Sequence, residues 1–176
     1  MIPGKVRSKE DHILKTDKQN LLKFAAIYGA NAAGKSNLIK AMAFFRNCTL
    51  NGAVVPQDAN LYCKTDPNNK EKPSYFEAEF VINNDVYAYG FEIVLSTGTF
   101  VSEWLCKLSS TKEEYLFKKE DAQHNYVFGG PLAKNPMLSV LVSSFAGSNA
   151  LFLNFINRTM AGFYKTNPQA EVLRLA

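Results

Sequence analysis

The chain predicts an α/β fold of the P-loop type, and three stretches predict it. An apolar run, Phe24-Ala-Ala-Ile-Tyr28, leads into Gly29-Ala-Asn-Ala-Ala-Gly34-Lys35-Ser36 and then into a helical pattern. From Tyr75 to Phe128 the hydrophobic period is two. From Asn135 onward it returns to three and four. A strand–loop–helix unit, an antiparallel β-subdomain and C-terminal helices are the elements this pattern calls for.

The first unit carries the chemistry. The loop spells G-x-x-x-x-G-K-S, whose physical purpose is to cradle phosphates. Backbone N–H groups ahead of a helix N-terminus form a concave anion site. Gly29 and Gly34 allow positive φ and close approach of the backbone. Ala30, Ala32 and Ala33 are too small to crowd the loop. Lys35 would reach the β- and γ-phosphates, and Ser36 would place its hydroxyl on Mg²⁺. The uninterrupted run Phe24–Tyr28 reads as a buried parallel strand. After the loop, Leu38, Met42 and Phe45 fall on one helical face, with Ile39 and Ala43 beside them. That helix is expected to end between Asn47 and Asn51, before Gly52.

Residues 1–22 are polar, with Lys5, Arg7, Lys9, Glu10, Asp11, Lys15, Asp17 and Lys18. They read as a solvated arm, or as a short edge strand around Ile13-Leu14. Residues 52–74 hold Pro56, Pro67 and Pro73 and read as a long irregular connection, of the kind that is often functional. Gln57 within it is a candidate for holding Mg²⁺ and the attacking water. In Tyr75–Ile82 the even positions are apolar. Asn83-Asn84-Asp85 is a turn, and in Val86–Leu95 the odd positions carry the bulk. After the turn at Thr97-Gly98, Phe100, Trp104, Cys106 and Leu108 are expected to share a face. Further strands are expected near Glu114–Lys118 and Asn125–Phe128, completing a meander. Pro136 suits a first helical turn. Gly147 separates that helix from a second one, Ala150–Tyr164, which includes Met160. Residues 23–176 are expected to form one lobe, ending at Pro168 and a short apolar tail.

Composition narrows the alternatives. The chain has 176 residues, is 47% hydrophobic and 20% charged, and carries a net charge of +4. These values suit a chain that can bury a core. No Lys/Arg-rich block points to direct nucleic-acid binding. Cys48, Cys63 and Cys106 form no C-x-x-C pair and read as reduced thiols. His12 and His124 stand far apart, which gives a zinc site no support. No apolar run is long enough to span a membrane, so a cytoplasmic protein is expected.

The phrase Ile27-Tyr-Gly-Ala-Asn-Ala-Ala-Gly-Lys-Ser-Asn-Leu-Ile39 resembles the opening of ABC/SMC-like ATP-binding proteins, in particular the AAA-type ATPases related to OLD nucleases. Pro73–Phe80, Tyr87-Ala-Tyr-Gly-Phe-Glu92, Ser102-Glu-Trp-Leu105 and Leu116-Phe117 are similar to strands of the same group. The likeness covers roughly residues 22–120.

The resemblance implies an ABC-ATPase-head-like fold, ATP with Mg²⁺, and two heads closing around nucleotide. It implies that Gly29, Asn31, Gly34 and Lys35 wrap the phosphates, that Ser36 binds Mg²⁺ and that Asn37 extends the contacts. It further implies DNA-directed or phage-defence activity through an assembled complex. The signature motif of the LSGG type and a Walker B strand ending in Asp-Glu are not visible. Phe80-Val-Ile-Asn-Asn-Asp85 offers an acid, but in a predicted turn. The chain therefore reads as an N-terminal lobe, truncated on its C-terminal side, whose partner is a C-terminal ATPase half or a second head. The other class is a non-enzymatic, nucleotide-dependent interaction module, or the remnant of a truncated ATPase. A GTPase fits poorly, because Asn69-Lys70-Glu71-Lys72 lacks the guanine-reading Asp. A small-molecule kinase fits poorly with a meander directly after the first helix.

Overall fold

A computed structural model describes residues 1–4, 10–15, 20–109, 112–119, 125–159, 162–166 and 170–175. Lys5, Arg7, Lys9, Asp17, Lys18, His124, Met160 and Pro168, named above, lie outside the described residues.

The architecture is mixed α/β. A small hairpin comes first: β1 (Ile13–Lys15) pairs antiparallel with β2 (Asn20–Leu22). It is tied at both sides by backbone bonds from Leu22 N–H to the Met1 carbonyl and from Lys23 N–H to the His12 carbonyl. Part of the polar arm is thus a paired strand.

Helix α1 (Lys35–Asn51) follows. Gly52 ends it at φ 74, a left-handed C-cap that donates its N–H to the Cys48 carbonyl at 2.7 Å. The termination expected from the sequence is found there, and glycine suits that φ. The buried face of α1 differs from the expected one. Phe44 and Cys48 are buried and Phe45 half-buried, whereas Leu38, Ile39 and Met42 stand exposed. The helix carries two apolar faces, and periodicity alone does not say which of them finds a partner. Phe44 meets Phe76 (5.0 Å between ring centroids), and Phe45 stacks on Phe91 at 5.4 Å. The packed face is therefore the one offered to the sheet.

That sheet holds five strands in chain order, all antiparallel: β3 (Ser74–Ile82), β4 (Asp85–Val94), β5 (Thr99–Leu108), β6 (Glu113–Lys119) and β7 (Tyr126–Phe128). Period two predicts a meander, and a meander is present. Asn83 and Asn84, at φ 50 and 66, make the β3–β4 turn, a conformation Asn tolerates. β5 keeps Trp104, Cys106 and Leu108 on one face as expected, but Phe100 parts from them. The register slips between Glu92 and Ile93, so that Glu92 faces Ser102 while Ile93 faces Phe100. The extra residue changes the parity of the strand. Phe100, Glu103 and Leu105 turn inward, while Ser102 and Trp104 line the outer face.

The inner face is covered by α1, α2 (Pro136–Phe145) and α3 (Phe152–Thr159). Asn135 caps α2 by accepting from Met137 N–H at 3.0 Å, with Pro136 in the first turn as its fixed φ favours. The second C-terminal helix is shorter than its periodicity suggests, with α4 (Phe163–Thr166) and α5 (Glu171–Leu175) following.

Asn154 ties α3 to α1. Its amide donates to the carbonyls of Thr49 and Leu50 at 3.0 and 2.6 Å, supplying partners for two of the last carbonyls of α1. Leu151 N–H reaches the Gly52 carbonyl at 3.0 Å. A Cβ at Gly52 would fall 2.5 Å from the Asn154 Oδ1 atom, so the clasp requires glycine there. Asn154→Ala is expected to cost about 2 kcal/mol and lower the thermal midpoint by about 4–8 °C in calorimetry.

Candidate functional site

The loop before α1 is built from residues 29–37, and its neighbourhood departs from expectation at one point. Residues 24–30 form no strand and are exposed: Phe24 is 73% and Tyr28 90% accessible. A parallel strand is stable only between hydrogen-bonded neighbours. The described sheets pair β1 with β2 and β3 through β7 in sequence, and residues 24–30 pair with neither.

The loop itself is curved. Ala32 and Gly34 have φ of 64 and 88, with Ala33 between them on the negative side. Such alternation turns successive N–H groups toward one concavity. At Ala32 the left-handed conformation costs about 1–2 kcal/mol, the kind of strain that collects at ligand sites. Gly29 does not need positive φ, and a Cβ there would make only ordinary contact, 3.5 Å from the Ala33 Cβ. Its expected conformational role passes to Ala32.

Internal bonds use few of the loop's amides. Ala33 N–H donates to the Ala30 carbonyl at 3.2 Å, and Asn37 and Leu38 N–H both donate to the Gly34 carbonyl. Among the described residues, the amides of Asn31, Ala32, Gly34, Lys35 and Ser36 have no protein acceptor. Gly34 caps α1 without a side-chain hydrogen bond, and no acidic residue stands in the first turn. The positive end of the helix dipole is therefore left uncompensated. Asn31 through Asn37 line a concavity of about 430 Å³.

The Lys35 ammonium lies within the same loop. It donates to the carbonyls of Gly29 and Ala30 at 2.5 and 2.6 Å. An ammonium held by two neutral carbonyls has exchangeable partners, and an anion would be a stronger one. Ser36 lines the concavity from the first turn of α1.

Other candidates fall elsewhere. Gln57 lies exposed in a 3-10 turn, Pro56–Asn60, and does not line the concavity. Its neighbour Asp58 is close enough to Cys48 to help push that thiol up to about 12, after burial as the larger cause. Cys48 is 13 residues along α1 from Lys35, or about 20 Å. Asp85 opens β4 and pairs with Lys107 at 2.5 Å. Among the described residues, no carboxylate lines the concavity. Among the described residues, no group of three or more His, Cys, Asp or Glu could hold a metal ion. Mg²⁺ would fit here by sharing the Ser36 hydroxyl with phosphate oxygens and waters, the way this ion commonly binds.

Sequence reading missed Glu103, which lies on the inner face of the sheet at 1% exposure. Its carboxylate accepts from Tyr89 and Tyr126 hydroxyls at 2.9 and 3.0 Å, and from Phe152 and Leu153 N–H at 2.7 and 3.1 Å. Burial pushes its pKa upward, and the four donors pull it back only in part. The Glu-Trp-Leu triplet is the local signal, but only the bulge turns Glu103 inward.

A family model described as "AAA domain, putative AbiEii toxin, Type IV TA system" matches residues 24–137. No curated protein and no solved structure matches. The matched span contains the loop, α1 and the whole five-stranded sheet.

Proposed function

Since the chain belongs to this AAA-domain family, we propose that it is the ATP-binding lobe of an ABC/SMC/OLD-like ATPase, incomplete for hydrolysis by itself. The observation that carries the reading is the concavity at residues 31–37, where unpartnered amides, an uncompensated helix N-terminus and a displaceable ammonium converge. A triphosphate is the ligand this combination suits.

In this reading Gly29, Ala30, Asn31, Ala32, Ala33, Gly34 and Asn37 supply the cradle. Lys35 leaves its two carbonyls for the β- and γ-phosphates. Ser36 orients Mg²⁺, which supplies charge neutralisation when bound. Among the described residues, no carboxylate lines the concavity to position an attacking water. Completion would come from a second lobe, either a C-terminal half or another head. The exposed apolar run at Phe24 and Tyr28, and the second apolar face of α1 at Leu38, Ile39 and Met42, are surfaces such a lobe would cover. Phage defence is the proposed setting, with DNA engaged through the complex; the family description names a "putative AbiEii toxin, Type IV TA system". No described helix is long and apolar enough to cross a membrane.

The purified chain is expected to bind Mg²⁺–ATP in calorimetry and to turn it over negligibly. No heat of binding would remove the nucleotide reading. Robust Mg²⁺-dependent turnover would show that the chain contains a catalytic acid of its own.

A further inference from the structure

The helices cover one side of the five-stranded sheet, and the other side is concave. A hollow of about 360 Å³ lies over it. Its wall is built around Trp104. The indole lies across Gly90, where a Cβ would come within 2.3 Å of the ring. Its Nε1 donates to Glu77 at 2.8 Å, and the Tyr75 ring stands 5.2 Å away, tilted against it. The aromatic platform is therefore fixed before any ligand arrives.

Carboxylates surround that platform. Glu77, Glu79, Glu92 and Glu113 line the hollow, against the single ammonium of Lys118. The chain as a whole is positive, at +4, so this face opposes the sign of the molecule. Glu79 has no hydrogen-bond or ion-pair partner among the described residues, and both Glu79 and Glu113 are exposed. Lys118 itself lies over the Tyr115 ring, 5.5 Å from its centroid. The face thus already holds a cation in the manner an incoming one would adopt.

We propose that this outer sheet face is a docking groove for a lysine- or arginine-bearing peptide segment of a partner protein. Charge complementarity selects the occupant. Ammonium and guanidinium groups gain from aromatic faces and from carboxylates together. A nucleic-acid backbone would be repelled by the same four carboxylates.

Trp104 is the only tryptophan in the chain, so intrinsic fluorescence reads this face directly. The full chain titrated with a capped lysine/arginine-rich peptide is expected to show a saturable change. A peptide of equal length with glutamate at each basic position is expected to show none. The double variant Glu79→Gln, Glu113→Gln is expected to weaken binding about fivefold, since neither group supports the indole. Raising salt from about 0.05 M to about 0.5 M is expected to weaken it further. Lys35→Ala is expected to bind the peptide as the parent does, which keeps this test separate from nucleotide binding. The proposal is overturned by a flat titration, by equal affinity in the double variant, or by a single-stranded oligonucleotide that competes for the groove.

Discussion

Lys35→Ala is expected to reduce ATP affinity at least about 100-fold in calorimetry while leaving the circular dichroism spectrum unchanged. The ammonium makes its two hydrogen bonds to carbonyls of its own loop and anchors nothing in the core. Removing it therefore leaves α1 and the sheet packed as before. In the bound form the same ammonium would face phosphate oxygens, where an anionic acceptor replaces a neutral carbonyl. Alanine keeps the helix and the amides but loses the positive side chain at the mouth of the concavity. Lys35→Arg keeps charge but not shape, and is expected to fall between the two. Undiminished binding by Lys35→Ala would contradict the assignment of residues 29–37 as the nucleotide site.

The second large effect concerns stability. Glu103→Ala is expected to cost about 3–5 kcal/mol, read as a lowered midpoint in urea or thermal unfolding. The side chain joins three elements: β4 through Tyr89, β7 through Tyr126, and α3 through its first amides. Alanine strands two hydroxyls and two N–H groups in a site without water access. A domain of this size holds on the order of 5–15 kcal/mol in total, so the loss is a large share of it. Glu103→Gln is expected to cost less, because one oxygen still accepts.

Protonation sets a further expectation. The folded carboxyl is raised above its ordinary 4.5 by burial. Its contribution to stability is then fully present below that value and shrinks as pH rises through the shifted one. The stability gap between the parent and Glu103→Gln should therefore narrow toward neutral pH. A cost for Glu103→Ala below about 1 kcal/mol would show that the four bonds do not hold the elements together.

Local chemistry was legible in the sequence and lateral pairing was not. The end of α1 at Gly52, the Asn83-Asn84 turn and the helix start at Pro136 each depend on a few adjacent residues, and each is found. The meander was legible because tight turns force neighbours to pair. Phe24–Tyr28 reads as a buried strand from composition alone, yet burial depends on what lies beside it. The two apolar faces of α1 are equivalent in sequence, and only the position of Phe76 and Phe91 decides between them. The bulge beside Glu92 leaves no mark in the pattern, but it decides that Glu103 points in and Trp104 out. Within the loop, the positive φ of Gly34 was legible, and it is found at 88. The left-handed Ala32 was not, since alanine seldom adopts that conformation.

The bond between Glu103 and the start of α3 reaches past the family boundary. The matched span closes at residue 137, while Phe152 and Leu153 lie beyond it. A clone trimmed to the matched span would strip two donors from an acid sealed under the sheet. It would also bare the greasy floor on which Phe145 and Phe152 sit. Anyone shortening the gene for expression should keep residues 151–159, because they seal the acid under the sheet and clasp the far end of α1.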